Sequence, residues 1–482
     1  MRAVIGVVGL AVALRVAAML GYSTAVLNYY TGDAGRYARL APFPSGYFTD
    51  STAPSGYPMF LGGLRDAWAA LPFTVAVQHA LGVATGLLLY AAMRRLGAPR
   101  LVALVPAAVV LLSGDQIFLE HAILVEGLWS FLIAAGLYAL VRGADGAPVN
   151  AWLALAGTLL VAAVVVRQVA FALPAIAVLW AAAVRGNGAG ARARAGASVL
   201  VPAAVTLAVY LAAASGGGGH SGLGESTGWQ LYGRVAQFAD CSRFDPPHGT
   251  EFLCEDTPPA RRQGPTWYLY GAGAPLVAHG RPGVAGPQDS RILGVFAHHA
   301  MAGQPWDYAS AVLSDAVRYA ELSGPNRPGS GADAAQMSWD SPGVFGGPEV
   351  ATRGYAAARY RTRYSGVDES APLADELGAY QDVMRLHGLL LIPLVALALW
   401  GAVVARGRAR AGIVLFGSSA MTLYLVPPVV GLWDVRYGVP PGPLLVAAAA
   451  LAVWSWAARR APAAGGPDAR PSNPRRRPMP RA

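Results

Sequence analysis

The chain contains no lysine: all 37 of its basic residues are arginine. Alongside abundant alanine and glycine, that absence reads as a base-composition bias of the coding sequence, with no chemistry attached. Charge is also scarce. Only 13% of the 482 residues are charged, against 54% hydrophobic, which excludes an ordinary soluble domain and points to a polytopic membrane protein. Cysteine is nearly absent. Cys241 and Cys254 have no third or fourth partner, so they make a poor zinc site and leave a disulfide or a free pair as the alternatives. No convincing glycine-rich nucleotide loop occurs, and there are no periodic repeats and no clear sheet. The net charge of +10 would suit a nucleic acid. However, the arginines concentrate in short loops and the tail, where a membrane protein needs them, so nucleic acid is not an expected partner.

The hydrophobic runs predict an all-α polytopic membrane protein with about ten transmembrane helices and a mainly helical extracytoplasmic insert. The expected spans are 3–20, 72–92, 100–113, 122–141, 151–166, 169–184, 197–214, 386–404, 411–430 and 439–457. The first begins at Ala3 behind Arg2, lacks a clear cleavage site and is interrupted by Arg15, so it reads as a retained span, not a signal peptide. Arginine in short loops sets the orientation. Arg94, Arg95 and Arg100, then Arg142, then Arg185, Arg192 and Arg194, then Arg406, Arg408 and Arg410 fall in alternate loops. That pattern places both termini in the cytoplasm of a multi-pass plasma-membrane protein. The organisation is a transmembrane core over 1–214 with a first outer loop at 21–71, an extracytoplasmic cap over 215–385, C-terminal spans over 386–460, and a basic Pro/Arg-rich tail over 461–482, expected to be disordered. Placement of both cysteines in the cap, outside the cell, permits a disulfide.

The cap opens on the flexible run Ala214 to Gly219. Helical spacing of apolar residues predicts helices over Trp229 to Asp240, Ser290 to Ala302 and Asp307 to Leu322, with Pro348 to Arg363 a further candidate beyond the Gly/Ser/Pro-rich stretch Ser323 to Ala335. Such a cap buries little surface alone and is expected to lean on the membrane domain. His298 and His299 point in different directions on one helix, so they do not suit a shared metal. Trp229, Tyr232, Trp267 and Tyr268 suit core packing better than sugar stacking.

Polar residues collect at the outer ends of several spans. They are Tyr29 to Tyr37 around Asp33, Asp115 to His121 with Glu126 beyond, Arg167-Gln168, and Trp433 to Tyr437. Ionisable groups at membrane depth are expensive and tend to be functional. Arg436 suits a phosphate, because a guanidinium donates two parallel charge-assisted bonds. Its alternative is an anchor that snorkels to lipid headgroups. Asp33 either acts chemically or caps the helix starting near Ala34. Glu126 inside a span demands a partner, and Arg167 is the natural one. Asp434 suits a group that holds Arg436 in place.

In order along the chain, these motifs resemble the GT-C superfamily of polyprenyl-phosphate-sugar-dependent membrane glycosyltransferases, in its bacterial, actinobacterial-like form. The resemblance rests on Gly32-Asp33 through Tyr37, Pro54-Ser55-Gly56-Tyr57-Pro58, Gln78-His79, Leu119-Glu120, Glu126-Gly127-Leu128, Gln304-Pro305-Trp306-Asp307-Tyr308, and Arg436-Tyr437. It implies inverting transfer of a sugar from a polyprenyl-phosphate donor to an acceptor hydroxyl on a glycan, lipid or protein, at the outer face of the membrane. Asp33 would be the base. Glu120, Tyr37 and His121 would orient the acceptor or the site. Arg436, Tyr437 and Arg167 would hold the donor phosphate. Relatives often carry an acidic pair where this chain has Asp33-Ala34. A divalent ion such as Mg or Mn, held by Asp33 and Glu120, is therefore left open as the only cofactor. Mannose and arabinose are the reasonable sugars. Two other classes compete: a lipid or solute transporter or flippase, and a non-catalytic cell-envelope assembly protein. Transporters usually show internal repeats and charges near the bilayer middle. Here only Arg15 has that character.

Overall fold

The computed structural model describes residues 2–22, 33, 37, 47–48, 53–146, 149–185, 188–217, 222–280, 287–322, 337–339 and 372–460. The candidate helix at 348–363, the Gly/Ser/Pro-rich stretch at 323–335, most of the first loop and the tail at 461–482 lie outside the described residues.

Among the described residues the regular elements are all helical. The chain forms α1 (Arg2–Gly21), α2 (Gly56–Ala67), α3 (Leu71–Arg95), α4 (Arg100–Leu112), α5 (Gly114–His121), α6 (Glu126–Gly143), α7 (Ala151–Val166), α8 (Leu173–Val184) and α9 (Ala189–Gly217). The insert contributes α10 (Thr227–Ala236), α11 (Pro287–Gly303) and α12 (Pro305–Arg318), with shorter helical turns between them. The chain closes with α13 (Ala374–Val383), α14 (Leu391–Val404), α15 (Gly407–Val430) and α16 (Gly442–Arg460).

This is a helical membrane protein, but the ten expected spans need correction. Six helical segments are long and apolar enough to cross a membrane: Arg2–Gly21, Leu71–Arg95, Ala189–Gly216, Ala374–Val404, Gly407–Val430 and Val435–Arg460. The pair α4 and α5, bent by 47° at Ser113, would make a seventh. The reason is length. At about 1.5 Å rise per residue, helices such as α7 and α8 fall short of a hydrocarbon core about 30 Å thick. The backbone breaks at Ser113 and Arg167 fall where the expected spans were divided, but α4, α7 and α8 on either side of them have only 13, 16 and 12 residues. Ser113 sets its break: its side chain accepts the Gln116 N–H at 3.2 Å and caps α5. At the other end of the predicted flexible run, α9 continues through Ser215, whose hydroxyl donates to the Ala212 carbonyl at 2.9 Å.

Helices α4, α3, α6, α7 and α9 pack side by side in that order, and α15, α16 and α14 form a second group that closes against α4 and α8. Close approach needs small residues. A methyl at Gly157 would meet the Val199 carbonyl oxygen at 2.1 Å, so α7 and α9 touch backbone to backbone there. The turns rich in arginine gather at one end of the bundle. Arg408 lies 2.9 Å from Asp145, Arg95 lies 3.9 Å from it, and Arg185 donates to the Gly143 carbonyl at 2.5 Å.

The insert has its own core of Trp229, Tyr232, Phe296, Leu269, Tyr268 and neighbours, so its aromatic residues pack as expected. Three of its predicted helices occur near where helical spacing placed them. Cys241 and Cys254 are bonded, closing a loop with a sequence separation of 13. Arg262, beyond that loop, donates to the carbonyls of Ala236, Ala239, Glu255 and Thr257. Replacing both cysteines by alanine is expected to cost the insert about 2–4 kcal/mol, the usual effect of freeing a loop of this size. Limited trypsin digestion in nanodiscs checks it, with faster cutting at the exposed Arg243 and Arg261 as the expected result.

Candidate functional site

The last span begins with a short 3₁₀ turn, Val435–Gly438, before α16. Asp434 caps it: its carboxylate accepts the Arg436 backbone N–H at 3.1 Å, and its other oxygen lies 3.5 Å from the Arg436 Nε. Asp434 therefore fixes both the backbone and the guanidinium of Arg436. That side chain is 3% exposed, and its Nη2 donates to Asp33 Oδ2 at 2.6 Å. The contact joins residues 403 apart in sequence. Asp33 is 20% exposed and so is the accessible member of the pair.

Glu126 enters from the first turn of α6, where a carboxylate is favoured by the helix dipole. It is fully buried, bonded to Arg167, and lies 3.7 Å from the Arg436 Nε. Arg167 stands at the break between α7 and the 3₁₀ turn Gln168–Ala170. Its guanidinium lies over the Tyr437 ring at 4.1 Å and the Trp129 ring at 5.6 Å. The Arg436 guanidinium sits 5.2 Å from the same Tyr437 ring. Among the described residues, three carboxylates thus face two guanidiniums. Tyr37 is buried nearby, edge-on to Tyr57 at 5.0 Å between ring centres. Of the residues singled out in the sequence, the structure brings together Asp33, Arg436, Tyr437, Arg167 and, with them, Glu126.

Glu120 and His121 belong to a second cluster. The Glu120 carboxylate is fully buried and receives Arg15 Nε at 2.8 Å and Arg15 Nη2 at 2.9 Å, Gln116 Nε2 at 3.0 Å, and sits 3.0 Å from His79 Nδ1. His79 Nε2 lies 3.2 Å from His121 Nδ1, and His121 is flanked by Tyr22 and Trp339. Gly82 makes room for this carboxylate, since a methyl there would meet Glu120 Oε1 at 1.6 Å. The expectation that Glu120 orients an acceptor beside Asp33 meets a different arrangement: its oxygens are taken by Arg15, Gln116 and His79. The open idea of a divalent ion between Asp33 and Glu120 meets the same fact, for each carboxylate is engaged by a different arginine. Among the described residues no group of three or more His, Cys, Asp or Glu side chains is arranged to hold a metal ion. The two clusters are nevertheless back to back. A methyl at Gly127, next to Glu126, would lie 3.9 Å from Glu120 Cγ and 3.8 Å from Gln78 Cβ. Gln78 itself ties Tyr57, at 2.6 Å, to the carbonyls of Glu120 and Ala122.

The insert reaches the site through α12. Asp315 bonds both Arg234, at 2.6 Å, and Arg318, at 3.2 Å. The Arg318 guanidinium stacks over Trp433 at 4.0 Å, one residue before Asp434. Burial lowers the Arg318 guanidinium from its usual basicity, with Asp315 opposing the effect. Tyr319 packs on Tyr424 and Trp433. Burial pushes its hydroxyl well above the usual phenol range, and Tyr437 and Asp434 add to that. The signal for the Glu120 cluster was Arg15 alone, a charge inside an apolar run that had to find a partner.

The chain matches no protein-family model, and no curated protein or solved structure shows significant similarity to it.

Proposed function

We propose that this membrane protein transfers a sugar from a polyprenyl-phosphate donor to an acceptor hydroxyl, as a GT-C-type glycosyltransferase acting at the outer face of the plasma membrane. The observation that carries the reading is the bond between Asp33, in the segment after α1, and Arg436, at the head of α16. A proton acceptor and a phosphate-binding group meet at the end of apolar helices, where a lipid-linked headgroup would lie.

The charge count suggests how the two act in turn. A carboxylate bonded to a guanidinium has its lone pairs engaged and is a poor base. An incoming donor phosphate competes for Arg436 and has two oxygens to offer its fork. Asp33, the exposed partner, is the group that gives way. Glu126 and Asp434 stay and keep Arg436 aimed. Asp33 then takes the proton of the acceptor hydroxyl as that oxygen bonds the anomeric carbon, and the carbon–oxygen bond to the lipid phosphate breaks. Attack opposite the phosphate inverts the centre. Polyprenyl phosphate leaves with the bonding pair, stabilised by Arg436, with Arg167 and Tyr437 beside it.

The test is purified protein in nanodiscs with a panel of polyprenyl-phosphate sugars, mannose and arabinose included, plus delipidated envelope fractions as acceptor source. One donor should release polyprenyl phosphate and label an acceptor, and Arg436→Gln should weaken binding of that donor. Failure of every donor to bind would remove the reading. A second reading, ion-coupled transport, draws on the buried Arg15–Glu120–His79 group within the helices. Ion-driven uptake into vesicles that survives Asp33→Asn would favour it.

A further inference from the structure

Where the insert meets the membrane domain, two arginines share one carboxylate. Arg234 on α10 donates its Nη2 to Asp315 Oδ2 at 2.6 Å, and Arg318, the last residue of α12, donates its Nη1 to Asp315 Oδ1 at 3.2 Å. The Arg318 pair is an ordinary contact between neighbours on a helix. Arg234 is different. Its side chain is 0% exposed, yet its Nε and Nη1 have no hydrogen-bond partner among the described residues. The Arg318 Nη2, the Tyr319 hydroxyl and the Trp433 indole N–H are buried and unpartnered as well. Arg318 lies over the Trp433 ring at 4.0 Å, and the Tyr319 ring centre is 5.9 Å from that of Trp433. Asp315 and Trp433 thus tie all four donor side chains into one cluster.

Donors without acceptors are costly in such a place. A buried polar group left unbonded loses its hydration with no return, and a charged one loses most. Water would answer the N–H groups but not the charge. Two guanidiniums face Asp315, and Asp434, next to Trp433, is engaged with Arg436. Five unpartnered donor atoms on four side chains call for acceptors in several directions. A carboxylate offers two oxygens in one plane. A phosphate group offers three strong acceptor oxygens and fits a guanidinium fork. Arg318 and Asp315 keep 9% and 11% of their side chains exposed, which marks the side from which an anion enters.

We propose that Arg234, Arg318, Tyr319 and Trp433 form a binding site for a phosphate group at the junction of the insert with the head of the last span. Asp315 holds the two guanidiniums side by side when the site is empty. A phosphate bound there joins α10 and α12 to Trp433, and so joins the insert to the membrane domain. The site is independent of the proposed transfer reaction, whose arginine is held by Asp33, Asp434 and Glu126.

Isothermal titration of inorganic phosphate tests it on the full-length protein in phosphatidylcholine nanodiscs, with chloride holding the ionic strength constant. Binding should persist in Arg436→Gln, which separates this site from the proposed donor site. It should weaken by about tenfold or more in Arg318→Gln, the usual effect of losing a hydrogen bond to a charged group. It should tighten in Asp315→Asn, because the carboxylate competes for both guanidiniums. Equal affinity in wild type and Arg318→Gln would overturn the proposal, and so would no binding at all, or binding lost in Arg436→Gln alone. Unfolding temperature guards against a variant that folds poorly. Phosphate should raise it more in Asp315→Asn than in wild type, and an equal rise would count against the site. Phosphatidic acid added to the nanodiscs names the source: displacement of bound phosphate assigns a lipid headgroup, and unchanged binding assigns a soluble phosphate group.

Discussion

Replacing Asp33 with asparagine should cut sugar transfer by about 10²–10⁴-fold, the usual contribution of a positioned general base. Asparagine keeps the shape and an acceptor oxygen for Arg436, so the protein should fold and insert as before. The sign of the effect on the donor is the informative part. Asp33 holds the Arg436 Nη2 at 2.6 Å, so it competes with any phosphate for that group. Removing its charge should leave donor affinity unchanged or tighter while kcat collapses. A residue that merely caps a helix would instead lower stability and leave kcat nearly intact. Isothermal titration with the lipid donor, beside single-turnover transfer, separates the two. Transfer at the wild-type rate in Asp33→Asn would end the role assigned to Asp33.

The largest loss of stability should come from Glu120→Ala. The substitution strips the fully buried Arg15 side chain of both carboxylate bonds and leaves an uncompensated charge among α1, α4 and α5. Breaking one half of such a pair costs about 3–5 kcal/mol, whereas replacing both members with apolar residues of similar size is often neutral. The double variant Arg15→Met with Glu120→Leu should therefore recover much of what Glu120→Ala loses. Thermal unfolding followed by tryptophan fluorescence in detergent measures both. If the double variant is as unstable as the single one, His79 and Gln116 depend on the carboxylate more than Arg15 does.

Part of this architecture was legible in the sequence because hydrophobic period and length survive without tertiary context. Each predicted apolar stretch is helical, and the three described helices of the insert sit where apolar spacing put them. Span count was not legible. A run such as 151–184 looks like two spans by composition, yet the break at Arg167 leaves two helices of 16 and 12 residues, too short to cross alone. For the site, the pairings that follow from the cost of a buried charge came through: Glu126 with Arg167, and Asp434 holding Arg436. Glu120 did not. Its neighbours in sequence suggested a loop at the water boundary, whereas the notch at Gly82 draws its carboxylate into the bundle toward Arg15. A missing side chain on another helix is invisible to any local pattern, whereas the meeting of residues 33 and 436 was expected only through the family resemblance.

The stacking of Arg318 on Trp433 has a consequence for inheritance. The insert and the final helix are encoded far apart, yet one grips the approach to the other. Exchanging residues 222–322 as a block while keeping this α16 should misalign Arg436 even though each part folds, because the Arg318–Trp433 stack is lost, so the two regions can diverge only together.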